Sequence, residues 1–410
     1  MKYDFDELVE RRGTNCVKWD FETPLLLERT GEATKGTGEA LIPLWVADMD
    51  FKVAPAILEA VKRRAEHGVF GYNIVPESYY QAVISWFRRR HQWEIQREWI
   101  LYTTAVVPAM SCVIKALAMP SERQRVGEPE GPGMKVLILS PAYNCFFSSI
   151  RNNGCEVLES PLKAVGDSFQ VDFDDFESKC ADEKTTMFLL CNPHNPSGRV
   201  WTREELQRMY DICKKYGVKV VSDEIHCELM MPGHQFVPFG TITDDAVVMN
   251  SPSKNFNTAG LQIANIICSH PSWRRRIDRA ININEVCDVN PFGIVALQAA
   301  YNESEEWIDE LCQYLWGNYQ LLCDFVAAHI PSWRVCRLEG TYLPWVDVSA
   351  MGITSRELCD RLLREAKVWV NPGTMYGPQT GEGYVRFNIA IQRSRLQEAL
   401  ERIAKTINKG

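Results

Sequence analysis

Lys254 stands in Ser251-Pro252-Ser253-Lys254-Asn255-Phe256, directly behind the apolar run Ala246-Val247-Val248-Met249. A lysine amine can form an imine with a carbonyl compound, and the hydroxyls of Ser251 and Ser253 are close enough in sequence to bind a phosphate beside it. Alone, such a lysine is more often a solvated surface residue. Three other segments give it company. Asp223, in Ser222-Asp223-Glu224-Ile225-His226, offers a carboxylate for a charged hydrogen bond to a protonated ring nitrogen, where the ordinary reading is a capping aspartate. In Asn192-Pro193-His194-Asn195-Pro196-Ser197-Gly198 the Asn195 amide can meet a phenolic oxygen, against the ordinary reading of a proline-rich turn. Tyr143, in Pro141-Ala142-Tyr143, can stack flat on a ring, or be a half-buried aromatic.

Amine, ring-nitrogen acid, phenol partner, stacking ring and phosphate hydroxyls are what a pyridoxal-5′-phosphate (PLP) enzyme requires of its protein. With Arg386 in Gly383-Tyr384-Val385-Arg386-Phe387-Asn388-Ile389-Ala390, the order Tyr143, Asn195, Asp223, Lys254, Arg386 resembles the fold-type I PLP-dependent enzymes of the aspartate aminotransferase superfamily, over nearly the whole chain. More narrowly, Pro43-Leu44-Trp45-Val46-Ala47-Asp48-Met49-Asp50-Phe51, the Phe70-Gly71-Tyr72 turn and Asp-Glu-Ile-His resemble the MalY/PatB branch, the cystathionine β-lyase-like C–S lyases.

The resemblance implies a role for each residue. Lys254 holds PLP covalently, Asp223 faces its ring nitrogen, Asn195 and His226 lie beside the ring, and Tyr143 stacks on it. Ser251, Ser253, Val106 and Val107 surround the phosphate, the last two through backbone N–H groups at a helix start. Arg386 grips the substrate α-carboxylate through two parallel hydrogen bonds, with Asn195 and Tyr72 also at the substrate. Tyr72 reaches the neighbouring subunit's cofactor, which implies a homodimer. The implied reaction is β-elimination on cystathionine or a related cysteine conjugate, yielding a thiol, pyruvate and ammonia. Two positions depart from the wider aminotransferase pattern: His226 replaces a tyrosine, and Gln262 a phosphate-binding arginine. The competing readings are an aminotransferase, a regulatory or binding protein that keeps the fold, and a serine hydrolase using Ser251 and Lys254 without the accompanying S-D-N and K-T-G motifs.

The elements that must position these groups are legible as well. Val136–Leu139, Met187–Leu190, Val218–Val221 and Ala246–Met249 are short apolar runs, each followed by polar, loop-forming residues. Alternating with helical patterns, they predict an α/β fold whose mostly parallel sheet is covered by helices, with the working residues just beyond the strands' carboxyl ends. Met110, Val113, Ile114 and Leu117 predict a helix beginning near Val107. Thr202-Arg203-Glu204-Glu205 predicts a capped helix that stops at Gly217. Ser121 to Gly133 reads as a loop, and Gly31 to Thr37 has the glycine spacing of a P-loop without its lysine. From about Pro291 long helices and a few strands, ending in Arg395 to Ile407, suggest a smaller α+β domain. The expected division is residues 52–290 as the large PLP-binding domain, and residues 1–51 with 291–410 as the small one.

Composition sets bounds. A chain of 410 residues exceeds what one hydrophobic core serves. With 45 Lys+Arg against 53 Asp+Glu the net charge is −8 and the charges are interspersed, which argues against nucleic acid. The N-terminus lacks a signal-peptide pattern and no apolar run approaches the roughly 20 residues that span a bilayer, so a cytoplasmic enzyme with no membrane partner is expected. Fourteen scattered cysteines read as reduced core thiols, and the pair His226 and Cys227 is too small a cluster to argue for a metal.

Overall fold

The computed structural model describes residues 1–20, 40–118 and 133–408. The Gly31 to Thr37 segment, and the Ser121 to Gly133 loop except for Gly133 itself, lie outside the described residues. Seven strands build the central sheet: β1 (Ile100–Thr103), β2 (Lys135–Ser140), β3 (Glu156–Pro161), β4 (Thr185–Cys191), β5 (Lys219–Asp223), β6 (Ala246–Asn250) and β7 (Ala264–Cys268). Their spatial order is β1-β7-β6-β5-β4-β2-β3, and only β7 runs against its neighbours. The carboxyl ends of the other six therefore share one edge.

The strand runs are apolar throughout because both faces are covered. Leu137, Leu139, Phe188, Leu190, Val220 and Val248 enter one core cluster, while Val136, Ile138, Met187, Leu189, Val221 and Val247 enter the other. The helix predicted near Val107 spans Val106–Leu117 and buries Ala109, Met110, Val113, Ile114 and Leu117. The Thr202 cap holds as drawn: its hydroxyl accepts from the Glu205 N–H at 3.2 Å, and the Glu205 carboxylate accepts from the Thr202 N–H at 2.9 Å. That helix, Arg203–Lys215, ends just before Gly217, which takes the left-handed conformation with φ +70°.

Beyond the sheet come the helices Pro291–Glu303 and Glu305–His329. A four-stranded antiparallel sheet of Arg334–Val335, Trp345–Asp347, Tyr384–Arg386 and Asn371–Pro372 follows, and then the helix Arg393–Ile407. The N-terminal segment joins this region: Ile42–Pro43 pairs in parallel with Val368–Trp369, and Trp45 stacks on Trp369 with centroids 4.3 Å apart. From there residues 45–51 run as a strap tied down by side chains. Asn388 Nδ2 donates to the Val46 and Asp48 carbonyls, and Asn257 Nδ2 to those of Met49 and Phe51. Asp50 anchors it, accepting from Lys18 Nζ and Trp19 Nε1 at 2.8 Å each and from Arg11. Burial alone would push the Asp50 carboxyl up, but Lys18, Trp19 and Arg11 outweigh it and hold it below the usual carboxylate range.

Candidate active site

A cavity of about 150 Å³ opens at the shared carboxyl edge. Each strand end delivers residues to its lining: Ala105, Val106 and Val107 beyond β1, Tyr143 beyond β2, and Cys191 and Asn195 at and after β4. Asp223, the last residue of β5, is followed by Ile225 and His226; Ser253, Lys254 and Ala259 follow β6, and Ala47 comes from the strap.

The Lys254 amine donates to the Ala47 carbonyl at 2.6 Å, and the Tyr342 hydroxyl donates to the same oxygen at 3.0 Å. Burial lowers the lysine's pKa; Asp48 opposes the shift and Arg386 adds to it. Asp223 accepts the Ile225 N–H at 3.2 Å, and burial raises its pKa to about 7 against the pull of that bond and of Lys254. His226 is pushed down to about 3 by burial and by the charges of Lys254 and Arg386, so its ring is neutral, and its Nδ1 has no hydrogen-bond partner. Burial, reinforced by Cys145 against the hydroxyl, drives the Tyr143 phenol well up.

Arg386 reaches this cavity through Asn195. Its Nη1 donates to Asn195 Oδ1 at 3.1 Å and its Nη2 to the Trp45 carbonyl at 3.0 Å, leaving Nε without a partner. The guanidinium lies 4.6 Å over the Tyr376 ring, whose hydroxyl accepts from Asn371 Nδ2 at 3.0 Å.

Not every expected residue is gathered here. Ser251 lies outside the lining: its hydroxyl donates to the Ile263 carbonyl at 2.6 Å, and its oxygen accepts the Ser253 N–H at 3.1 Å. With Lys254 bonded to Ala47 instead, the two do not form the nucleophile and base of a serine hydrolase. Gln262 is exposed at φ +48°, and Tyr72 is 99% exposed, touching nothing in the cavity of its own chain. Cys227 is brought to His91 and Glu228 rather than to a metal set with His226. The Glu228 carboxylate there already takes the Trp86 Nε1–H at 2.8 Å and contacts His91 Nε2 at 2.6 Å and Arg90 Nε at 3.4 Å.

The sequence did not single out Tyr342, Tyr376 or Cys145, nor the carbonyls of Trp45 and Ala47. The strap motif Pro43–Phe51 was the one available signal, but a backbone carbonyl leaves no side-chain signature. As a set, the donors fit PLP. A buried carboxyl suits a pyridine nitrogen, an amine suits an aldehyde, and an unpartnered imidazole nitrogen lines the same space. The helix start at Ala105 to Val107, where no side chain caps the free N–H groups, suits a phosphate.

The family comparison decides the lineage: the model for aminotransferase class I and II matches residues 39–403. The chain belongs to the class I and II aminotransferase family. Its architecture is accordingly the type I fold of PLP-dependent enzymes. Among its relatives, cystathionine beta-lyase PatB of Bacillus subtilis (strain 168) is 38% identical over 99% of this chain and 100% of its own length. Cystalysin from Treponema denticola, whose structure contains a pyridoxal 5′-phosphate cofactor, superposes with a TM-score of 0.91 at 32% identity, covering 100% of both chains. The PLP-bound C–S lyase from Staphylococcus hominis, complexed with L-cycloserine, gives 0.87 at 30% identity over 99% of this chain and 98% of that one.

Proposed function

We propose that this member of the family is a PLP-dependent carbon–sulfur lyase that performs β-elimination on cystathionine or a related cysteine conjugate, giving a thiol, pyruvate and ammonia. The observation that carries the reading is one cavity in which the Lys254 amine, the Asp223 carboxyl and the Asn195 amide meet, the last of these also holding Arg386. Lyase rather than aminotransferase rests on the likeness to PatB and to the Staphylococcus hominis C–S lyase along nearly the whole chain.

When bound, PLP supplies an electron sink that makes the Cα proton of an amino acid acidic and lets a group on Cβ leave. Asp223 would keep a proton at the pyridine nitrogen: burial raises its carboxyl to about 7 despite the Ile225 N–H and Lys254, and a cationic N–H in contact would draw it back to the ionised form. Lys254 would hold the cofactor through its amine and would serve as the base for the Cα proton; its lowered pKa makes the neutral amine accessible. His226, Asn195 and Tyr143 line the same cavity and would flank the ring, with Tyr143 stacked on it. The N–H groups of Val106 and Val107, with Ser253, would hold the phosphate, and Ser251 supports Ser253 from behind. The two N–H groups that Arg386 has not given to Asn195 and Trp45, one on each Nη, are free to take the two oxygens of the substrate carboxylate.

The same reading makes the active form a homodimer. Val69, Phe70, Tyr72 and Ile74 are 63%, 57%, 99% and 86% exposed, an apolar stretch that a second copy covers while Tyr72 enters the partner's site. Residues 52–290 form the large domain and residues 1–51 with 291–410 the small one, a division supported by the seven-stranded sheet lying within the first and the four-stranded sheet within the second. A cytoplasmic location is supported by fourteen cysteines that form no disulfide. Incubating the holoenzyme with L-cystathionine tests the reaction class. The expected products are pyruvate, ammonia and homocysteine in equal amounts without added 2-oxo acid. Consumption of amino acids only when a 2-oxo acid is present would make it an aminotransferase.

A further inference from the structure

The Ala47 carbonyl accepts two hydrogen bonds, from the Lys254 amine at 2.6 Å and from the Tyr342 hydroxyl at 3.0 Å. A carbonyl oxygen has two lone pairs, so these donors fill it. The strap fixes that oxygen in place, because Asn388 Nδ2 takes the carbonyls on either side, those of Val46 and Asp48, at 2.5 and 2.6 Å. Tyr342 is held as firmly. It is fully buried, its ring meets His226 edge-on with centroids 6.0 Å apart, and its carbonyl accepts the Ile389 N–H at 3.1 Å. Burial, with Asp48 adding to it, drives the phenol's pKa well up, so the hydroxyl stays a donor. The residue before it is a backbone outlier. Thr341 takes φ +71°, a left-handed conformation that a β-branched residue enters only at a cost. It is held there by its N–H on the Leu229 carbonyl at 2.7 Å and by its Oγ1 accepting the Leu343 N–H at 3.1 Å. Such strain persists where the surroundings over-determine it, and here it delivers a phenol to the oxygen that holds the cavity's amine.

We infer that Tyr342 is a positioning residue for Lys254: by occupying one lone pair of the Ala47 oxygen it leaves the amine a single acceptor, which suits a neutral amine and under-serves an ammonium. A neutral amine gives one N–H to Ala47 and keeps its nitrogen lone pair for a substrate proton. An ammonium brings three N–H groups, and among the described residues the Ala47 carbonyl is the one hydrogen-bond acceptor that Lys254 reaches. The inference rests on Lys254 being the base, as proposed above, and adds what keeps that base ready. The titratable groups facing Lys254 are Asp48 of the strap, Arg386 at the end of the strand Tyr384–Arg386, Cys145 of the helix Asn144–Asn152 and Asp223 at the end of β5, with the neutral His226 beside them. Burial lowers the lysine's pKa and Arg386 works the same way, while Asp48, Cys145 and Asp223 oppose them. Tyr342 acts on this balance through the Ala47 oxygen, without touching the amine.

Tyr342→Phe keeps the ring and removes the hydroxyl. Ala47 then offers both lone pairs to Lys254, the ammonium is better served, and the amine titrates at a higher pH. The full chain, freed of cofactor, would be trace-labelled with acetic anhydride across a pH series, with the Lys254 peptide quantified by mass spectrometry. At neutral pH Lys254 of Tyr342→Phe should label about threefold or more slowly than in wild type, since only the neutral amine reacts, while the exposed Lys62 labels equally in both. A 3-fluorotyrosine at position 342, a stronger donor to the same oxygen, should speed Lys254 labelling instead. In the holoenzyme the acid limb of kcat should move to higher pH in Tyr342→Phe, with KM changed by less than about twofold. A merely structural loss would lower the melting temperature and shift neither profile. Equal labelling of Lys254 in wild type and Tyr342→Phe would overturn the inference even if the lyase reading stood. Slowed labelling in a chain that gave no pyruvate would keep the inference and remove the lyase reading. Should Tyr342→Phe fail to fold, the fluorotyrosine chain decides it, and unchanged or slower labelling there would overturn it.

Discussion

Arg386→Lys isolates the geometry of the substrate anchor from its charge. Two of the five guanidinium N–H groups are already used, on Asn195 Oδ1 at 3.1 Å and on the Trp45 carbonyl at 3.0 Å. The remaining N–H on each Nη makes a planar fork for a carboxylate, steadied by Tyr376 beneath it at 4.6 Å. Lysine keeps the positive charge but not the fork, so one of the two charge-assisted hydrogen bonds to the carboxylate is lost. At about 1.5–3 kcal/mol for such a bond, kcat/KM should fall roughly 10- to 150-fold. Initial rates of thiol release across a range of L-cystathionine concentrations measure this. KM should rise and kcat should fall with it, because a carboxylate held at one point lets the Cα–H bond swing away from Lys254. A change in kcat/KM of less than about twofold, worth under about 0.5 kcal/mol, would refute the reasoning, since the fork would then not be what holds the substrate.

Asp223→Ala should cost about 3 kcal/mol or more, roughly a hundredfold in turnover, with L-alanine transamination slowed as much as elimination; a selective effect on one reaction would contradict its place at the ring nitrogen. Asp50→Asn should destabilise the chain by about 3 kcal/mol at neutral pH, because the buried Lys18 loses its 2.8 Å carboxylate partner and keeps only Asp48 at 3.7 Å, while Arg11 keeps Asp48 at 2.6 Å. Because the folded Asp50 pKa is depressed, its contribution is present above about 3.9 and lost as pH falls through the folded value, so the gap to wild type in urea unfolding should close in acid; a gap that is constant with pH would count against the clamp. Mixing Tyr72→Phe with Lys254→Ala subunits should restore activity by leaving one site free of both lesions, and recovery no better than either parent would rule out a shared site.

The sheet was readable because its physics is local. Strands buried on both faces must be apolar at every position, and Val136–Leu139 or Ala246–Met249 betray themselves without reference to the rest of the chain. The Thr202 cap was equally plain, since its hydroxyl and Glu205 satisfy each other within one turn. Tyr143, Asn195 and Lys254 were visible as candidates because each follows a strand, and Asp223 because it ends one, at the carboxyl edge where a site is expected. Other features are set by distant contacts. Ser251 and Ser253 look equivalent in sequence, but the Ile263 carbonyl on the adjoining strand segment captures only the first. Tyr376 owes its place under Arg386 to the pairing of Asn371–Pro372 with Tyr384–Arg386, which no single segment reveals. The acceptor role of the strap lies in main-chain oxygens, common to every residue and therefore silent in sequence.

The central claim is that Lys254 carries the cofactor in this cavity. Borohydride reduction of the holoenzyme fixes PLP to the amine that holds it, and peptide mapping then identifies the residue. The account predicts one modified peptide, containing Lys254. A label on any other lysine, or no label on protein that is saturated with PLP, would contradict it.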